Sequence, residues 1–199
     1  MVDTMKAIFL DIETDGLDPD IHLALEIAVV GVDLHNMSCM FEYSSFIHCS
    51  ENHWDMHSDP EALKYNGITF NDVKDAKRPH QVSGDLVELF LSYELDKTNS
   101  IFICQNPSFD RAFFPQIMSH ETQRELDLPY HWLDLASMYW AKSVNPKKPV
   151  NGHNSPRTVP MSKDAIAKYL GLPSEEKPHK ALNGVKHLID CYKAIFELE

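Results

Sequence analysis

Cysteine is scarce in this chain. Cys39, Cys49, Cys104 and Cys191 are scattered with no Cys-x-x-Cys pair, which excludes a zinc ribbon and a thioredoxin-type site and fits a reducing cytoplasm. Long apolar runs are missing too. Nothing approaches the roughly 18 consecutive apolar residues a membrane span needs, and the opening MVDTMKAIFLDIETD is cut by Asp11 and Glu13. No membrane role and no targeting address are therefore expected. Positive charge is in short supply, with 18 Lys plus Arg against 30 Asp plus Glu and a formal charge of −12. That balance argues against a protein that coats polyanions at large, without excluding a nuclease. Internal repeats and low-complexity tracts are absent as well.

What is present is ordinary globular material. Hydrophobic residues at 43% and charged residues at 24% exclude disordered, collagen-like and coiled-coil classes. A length of 199 residues suits a single α/β domain over 1–199. Charge is placed unevenly: residues 1–100 hold 6 basic and 19 acidic side chains, whereas 142–180 holds 8 basic and 3 acidic. The basic stretch surrounds a loop, 143–160, with Pro146, Pro149, Pro156 and Pro160, predicted to be irregular. Two readings of its charge stand, a solvated surface or a phosphate-binding face in which Lys142, Lys147, Lys148 and Arg157 overhang the site.

The pattern of elements points to a mixed sheet. KAIFLDI (6–12) is a short apolar run ending in carboxylates and reads as a buried strand. Residues 24–34 and 39–48, rich in β-branched and aromatic side chains and joined by His35-Asn36, read as an antiparallel hairpin. Ser58-Asp59-Pro60-Glu61 announces a helix ending near Asn66-Gly67, and apolar spacing predicts another over 82–95. IFIC (101–104) is a fourth strand, 109–118 a helix, 131–140 either strand or helix, and 161–170 a helix. After Pro178, apolar residues at 181, 182, 185, 188, 189, 192, 195 and 196 mark a long amphipathic helix. That helix runs almost to Glu199, from which a free-standing protein is expected rather than one tethered through a tail.

Asp11 and Glu13 lie two apart on a strand, so their side chains leave the same face. Like charges that close raise one another's pKa unless a cation intervenes, so the pair is either a solvated strand end or a divalent-metal ligand set. Asp110 follows the strand IFIC at the entry to a helix, where an Asp is either a cap or a ligand. His179 precedes the last helix and could be held over the strand ends or serve structure alone.

Taken in order, DIETDGL (11–17), N-x-x-F-D (106–110) and H-K-A-L (179–182) resemble the three motifs of the DnaQ-like (DEDDh) 3′–5′ exonucleases. The resemblance spans nearly the whole chain. It implies a ribonuclease-H-like fold: three antiparallel strands first, later strands parallel to the first, helices on both sides. It further implies hydrolysis of phosphodiester bonds at the 3′ ends of single-stranded DNA or RNA with two magnesium or manganese ions. On that implication Asp11 bridges both ions, Glu13 binds one, Asp110 helps to position the second, and His179 is the general base. Thr14, Leu17 and Asn106 would seat the 3′ end, with Lys147, Lys148 and Arg157 on the backbone. The oligomeric state is open, a homodimer among the options, as is the choice of DNA or RNA.

The third motif departs from the family. Five residues after His179, where the family carries an aspartate, stands Gly184. Asn183 is rotated by about 100° on a helix and Asp190 lies about 9 Å further along it, so neither replaces the missing carboxylate directly. A naturally weakened enzyme, a binding module descended from one and an introduced substitution all remain open. Gly184→Asp is expected to complete the metal site and to be tolerated near a helix N-terminus. His48, His53 and His57 form a separate cluster, but ENHWDMHSDP (51–60), which holds the last two, reads as a loop and so weighs against a zinc site there; Trp54 and His57 either stack on a base or anchor the loop.

Overall fold

The computed structural model describes residues 4–144 and 159–198. Five strands form one sheet in the order β3-β2-β1-β4-β5. β1 (Lys6–Thr14), β2 (Ala24–Asp33) and β3 (Ser38–Phe46) pair antiparallel in succession. β4 (Ser100–Cys104) returns beside β1 in parallel, with Phe9 opposite Ile103, and β5 (Trp132–Asp134) adds in parallel to β4. This is the mixed sheet expected from the sequence. A glycine has a packing reason at Gly31 in β2, because a Cβ there would lie 2.2 Å from the Phe41 ring on β3.

Period-two alternation along β1 divides the core. Ile8, Leu10 and Ile12 face one way, against Val82, Leu86 and Phe90 of α4 (Pro79–Ser92) and Phe113, Phe114 and Ile117 of α5 (Pro107–Ile117). Ala7 and Phe9 face the other way, against α7 (Leu135–Ser143), α8 (Lys163–Leu170) and α9 (Ala181–Phe196), through Tyr139, Ile166, Val185 and Leu188. Helices thus cover both faces. Asp11 and Glu13 share the parity of Ala7 and Phe9, so they emerge on the α8/α9 side just where the apolar run ends.

Several local features depart from the sequence reading. ENHWDMH is not loop but the helix α1 (Glu51–His57), capped by the Ser50 hydroxyl, which accepts from the His53 N–H. The undecided segment 131–140 is β5 followed by α7, with the Asp134 carboxylate capping the helix and ending the strand. The helix placed at 82–95 begins earlier, at Pro79, and ends at Ser92. The short helices α2 (Pro60–Asn66), α3 (Phe70–Val73) and α6 (His120–Glu125) complete the set among the described residues. Asp59 caps α2 as its signature predicts, accepting from the Glu61 N–H at 2.9 Å. Lys147, Lys148 and Arg157 lie outside the described residues.

Candidate active site

The C-terminal end of β1 forms the floor of a cleft of about 690 Å³. Asp11 and Glu13 project from the strand, Asp110 comes from the first turn of α5, and His179 comes from the segment leading into α9. The structure therefore brings together the four residues singled out by the three motifs. Asp110 is not the cap of its helix: Asn106 holds that position with φ 58°. Asp110 is buried instead, and its Oδ1 accepts the Ile12 N–H at 3.0 Å, so it is fastened to β1 between Asp11 and Glu13.

These carboxyls are electrostatically unsettled. Burial, and then the Asp11 charge, raise Asp110 well above the ordinary carboxylate range. Asp11 is raised as well, by burial, with Lys163 pulling it down and Glu175 pushing it up. Burial and the Asp11 charge lift Glu13 to about 8. Glu13 stands directly opposite Glu26 on β2. Glu26 is itself raised by burial although its Oε2 accepts the Ala181 N–H at 3.2 Å. Converging hard oxygen donors whose negative charge the protein leaves poorly balanced fit a divalent cation.

Two residues absent from the sequence reading of the site sit inside it. Lys163, at the start of α8, sends its ammonium across the cleft to Glu175 Oε2 at 2.8 Å and Asp11 Oδ2 at 3.8 Å. Burial alone would depress this amine, yet Asp11, Glu175 and Glu13 outweigh it and hold its pKa above that of an ordinary lysine. Glu175 is held at its backbone by the Asp164 carboxylate at 3.0 Å and reaches His179 Nδ1 with Oε1 at 3.1 Å. Its role had no motif to announce it. Lys163 was legible only as one of eight basic residues within 142–180.

Tyr65 of α2 stacks flat on the His179 ring, with centroids 4.2 Å apart and planes 7° apart. The neighbouring Asn66 is buried; its Nδ2 donates to the Thr14 carbonyl at 2.9 Å and its Oδ1 accepts the Ile68 N–H at 3.0 Å. Through this residue α2 is tied to the end of β1.

Of the proposed substrate contacts, Thr14 and Leu17 line the cleft, and Leu17 projects from it at 78% exposure. Asn106 does not line it; its side chain accepts from the Ser108 hydroxyl at 2.6 Å. Lys142 is turned away, donating to the Ile195 carbonyl and pairing with Glu197, because it ends α7 beside the last turn of α9. His53 serves structure: its Nε2 meets buried Asp15 Oδ2 at 2.8 Å, while Asp15 also accepts from Leu23 N–H and Ser58 Oγ. Trp54 packs against Phe70.

Gly184 lies at the edge of the cleft, on the first turn of α9. A Cβ added there would fall 1.9 Å from Asp11 Oδ2 and 3.1 Å from Lys163 Nζ. Position 184 therefore does face the carboxylates, as the third motif implied. A side chain at 184 would require the Asp11 carboxylate to turn aside, and the Lys163 ammonium to give by a few tenths of an ångström.

Residues 8–192 match the family model RNase_T, described as exonuclease. Among solved structures, E. coli exonuclease I in complex with a dT13 oligonucleotide is 16% identical, with a TM-score of 0.74 over 96% of this chain and 41% of its own. The zinc-bound form of the E. coli exonuclease I complex with single-stranded DNA gives 16%, 0.70, 98% and 41% respectively. A 3′-exonuclease with 3′-end-specific recognition of a histone mRNA stem-loop gives 16%, 0.70, 97% and 64%. These likenesses show the fold. The chain spans less than two thirds of the length of each of these proteins. No curated protein matches the sequence.

Proposed function

We propose, from the premise that this chain belongs to the RNase_T exonuclease family, that it is a metal-dependent 3′–5′ exonuclease acting on single-stranded DNA or RNA. The observation that carries the reading is the convergence of Asp11, Glu13, Asp110 and His179 on one cleft. In the reaction a water oxygen bonds to phosphorus, the bond from phosphorus to the 3′ oxygen breaks, and a 5′-mononucleotide leaves. Magnesium or manganese held by Asp11, Glu13 and Asp110 would supply Lewis-acid stabilisation of that charge. Of the two ions that the family resemblance implies, these three carboxylates fit at least one; the aspartate expected at 184 is missing.

His179 takes the water proton in this reading. Its Nδ1 faces Glu175, which leaves Nε2 as the basic nitrogen, and Tyr65 fixes the plane of the ring. Leu17 and Thr14 would receive the terminal nucleotide, Leu17 offering an exposed apolar surface for a base. Lys147, Lys148 and Arg157 would grip the backbone phosphates, and Asn106 would act only through the turn that seats Asp110. Residues 1–199 would act as one exonuclease-like domain, and the four unpaired thiols support a cytoplasmic setting. Among the described residues no helix is long and apolar enough to cross a membrane.

A second reading, a binding module with little turnover, is favoured by one observation: Lys163 is seated on Asp11 and Glu175 beside Gly184. Oligonucleotides labelled at the 5′ end and at the 3′ end separate the two. Stepwise shortening of the 5′-labelled strand, with mononucleotide released from the 3′ label in magnesium or manganese, supports the enzyme. Tight binding without turnover in either metal supports the module, and DNA and RNA strands run side by side report sugar preference.

A further inference from the structure

The third motif lacks its carboxylate, and the ammonium of Lys163 occupies the space in front of the gap. It lies 3.3 Å from the Gly184 carbonyl oxygen, 2.8 Å from Glu175 and 3.8 Å from Asp11. The two features depend on each other. A Cβ at 184 would come within 3.1 Å of the ammonium and would collide with the Asp11 carboxylate that leans toward it. Lys163 is not a solvated residue that happens to reach inward. Its side chain is only 13% exposed, and Glu175, its closest partner, is only 3% exposed. Glu175 is in turn fixed by Asp164, the next residue of the same helix turn.

We propose that Lys163 is the built-in second cation of this site: the lysine supplies one positive charge permanently, and the carboxylates hold one divalent ion rather than two. The inference rests on the metal-dependent reading above and goes beyond it. A fixed ammonium on Asp11 takes up part of the negative charge that would otherwise attract a second ion, and it repels any divalent cation brought close. A site short of one carboxylate also offers a second ion too few hard oxygen ligands. Glu175 then has two tasks. Oε2 pairs with the ammonium beside Asp11, and Oε1 lies 3.1 Å from His179 Nδ1, so the internal cation and the base share one carboxylate.

A consequence distinguishes this arrangement from a damaged two-ion site. Restoring the aspartate alone places a carboxylate next to the ammonium, where the pair neutralises itself. Gly184→Asp by itself is therefore expected to gain no second ion. Lys163→Gln removes the competing positive charge and tightens binding of the resident ion, on the order of tenfold for one nearby unit charge. The double variant Lys163→Gln with Gly184→Asp removes the competing charge, and the Asp11 carboxylate, no longer held toward the ammonium, turns aside to admit the new side chain.

The test is manganese titration of the full chain by calorimetry, with bound and free ion also counted by electron paramagnetic resonance. The expected stoichiometries are one ion for wild type, one for Gly184→Asp, one bound more tightly for Lys163→Gln, and two for the double variant. Two ions in the wild type, together with metal-dependent hydrolysis, would overturn the role of Lys163 while leaving the nuclease reading intact. No ion in the wild type and no hydrolysis would overturn the nuclease reading and this inference with it. Weaker manganese binding in a folded Lys163→Gln would also overturn it, since the lysine would then only be bracing the carboxylates. The wild-type count needs no variant to fold.

Discussion

At the scale of single residues, each functional group has a neighbour that fixes its chemistry. His179 is clamped between the Tyr65 ring and Glu175. His179→Ala should reduce kcat by on the order of 10²–10⁴, the usual contribution of a positioned acid–base group, with a much smaller effect on KM. Steady-state kinetics on a labelled oligonucleotide check this. Glu13 leads to a pH prediction. Burial and Asp11 lift its carboxyl from the ordinary range to about 8, so the folded protein binds a proton there that the unfolded chain has lost. Its contribution to stability is present below pH of about 4.5 and is lost as pH rises through about 8. Metal-free protein should therefore melt at a lower temperature at pH 8 than at pH 6. Added manganese should remove that difference, because the ion replaces the proton. Melting curves with and without chelator test it, and a metal-free melting temperature that rises over this range would contradict it.

At the scale of elements, the site depends on how two helices are pinned to the end of β1. α5 is attached through Asp110 to Ile12, and α2 through Asn66 to Thr14. Asn66→Ala leaves buried partners unmatched, and should cost about 1–3 kcal/mol by urea denaturation. It should also lower activity, since Tyr65 loses its support over His179. Much of this scale was legible in the sequence. The two-residue spacing of Asp11 and Glu13 at the end of an apolar run placed both on one face, and the strand IFIC followed by N-x-x-F-D placed Asp110 at the same edge. What was not legible had no periodicity to report it. Glu175 lies in the irregular stretch between α8 and α9, and its partnership with Lys163 and His179 arises only from tertiary packing. α1 was hidden because polar residues fill five of its seven positions, and Trp54 and Met56 alone make no apolar stripe. The vacancy at Gly184 was visible in the sequence; what fills it was not.

At the scale of the whole molecule, the proposed function requires a chain with a formal charge of −12 to admit a polyanion to a cleft lined with carboxylates. Bulk repulsion discourages indiscriminate binding, so productive approach needs local positive charge. Lys177 lines the cleft, and Lys147, Lys148 and Arg157 are the proposed further contacts. Replacing these last three by alanine should raise KM and flatten its salt dependence, because each lost phosphate contact releases one counterion fewer. An unchanged salt slope would return them to the solvated surface. Hydrolysis at the shared carboxylate cleft is the claim on which the rest depends, and Asp110→Asn isolates it. The amide keeps an oxygen to accept the Ile12 N–H, and it relieves the cost of a buried charge, so the fold should survive with undiminished metal-free stability. The decisive measurement is single-turnover release of the 3′-terminal nucleotide as a 5′-monophosphate, in manganese, by wild type and by Asp110→Asn. The account predicts release by the wild type and loss of it in a folded Asp110→Asn; equal release by both proteins, or none by either, would contradict it.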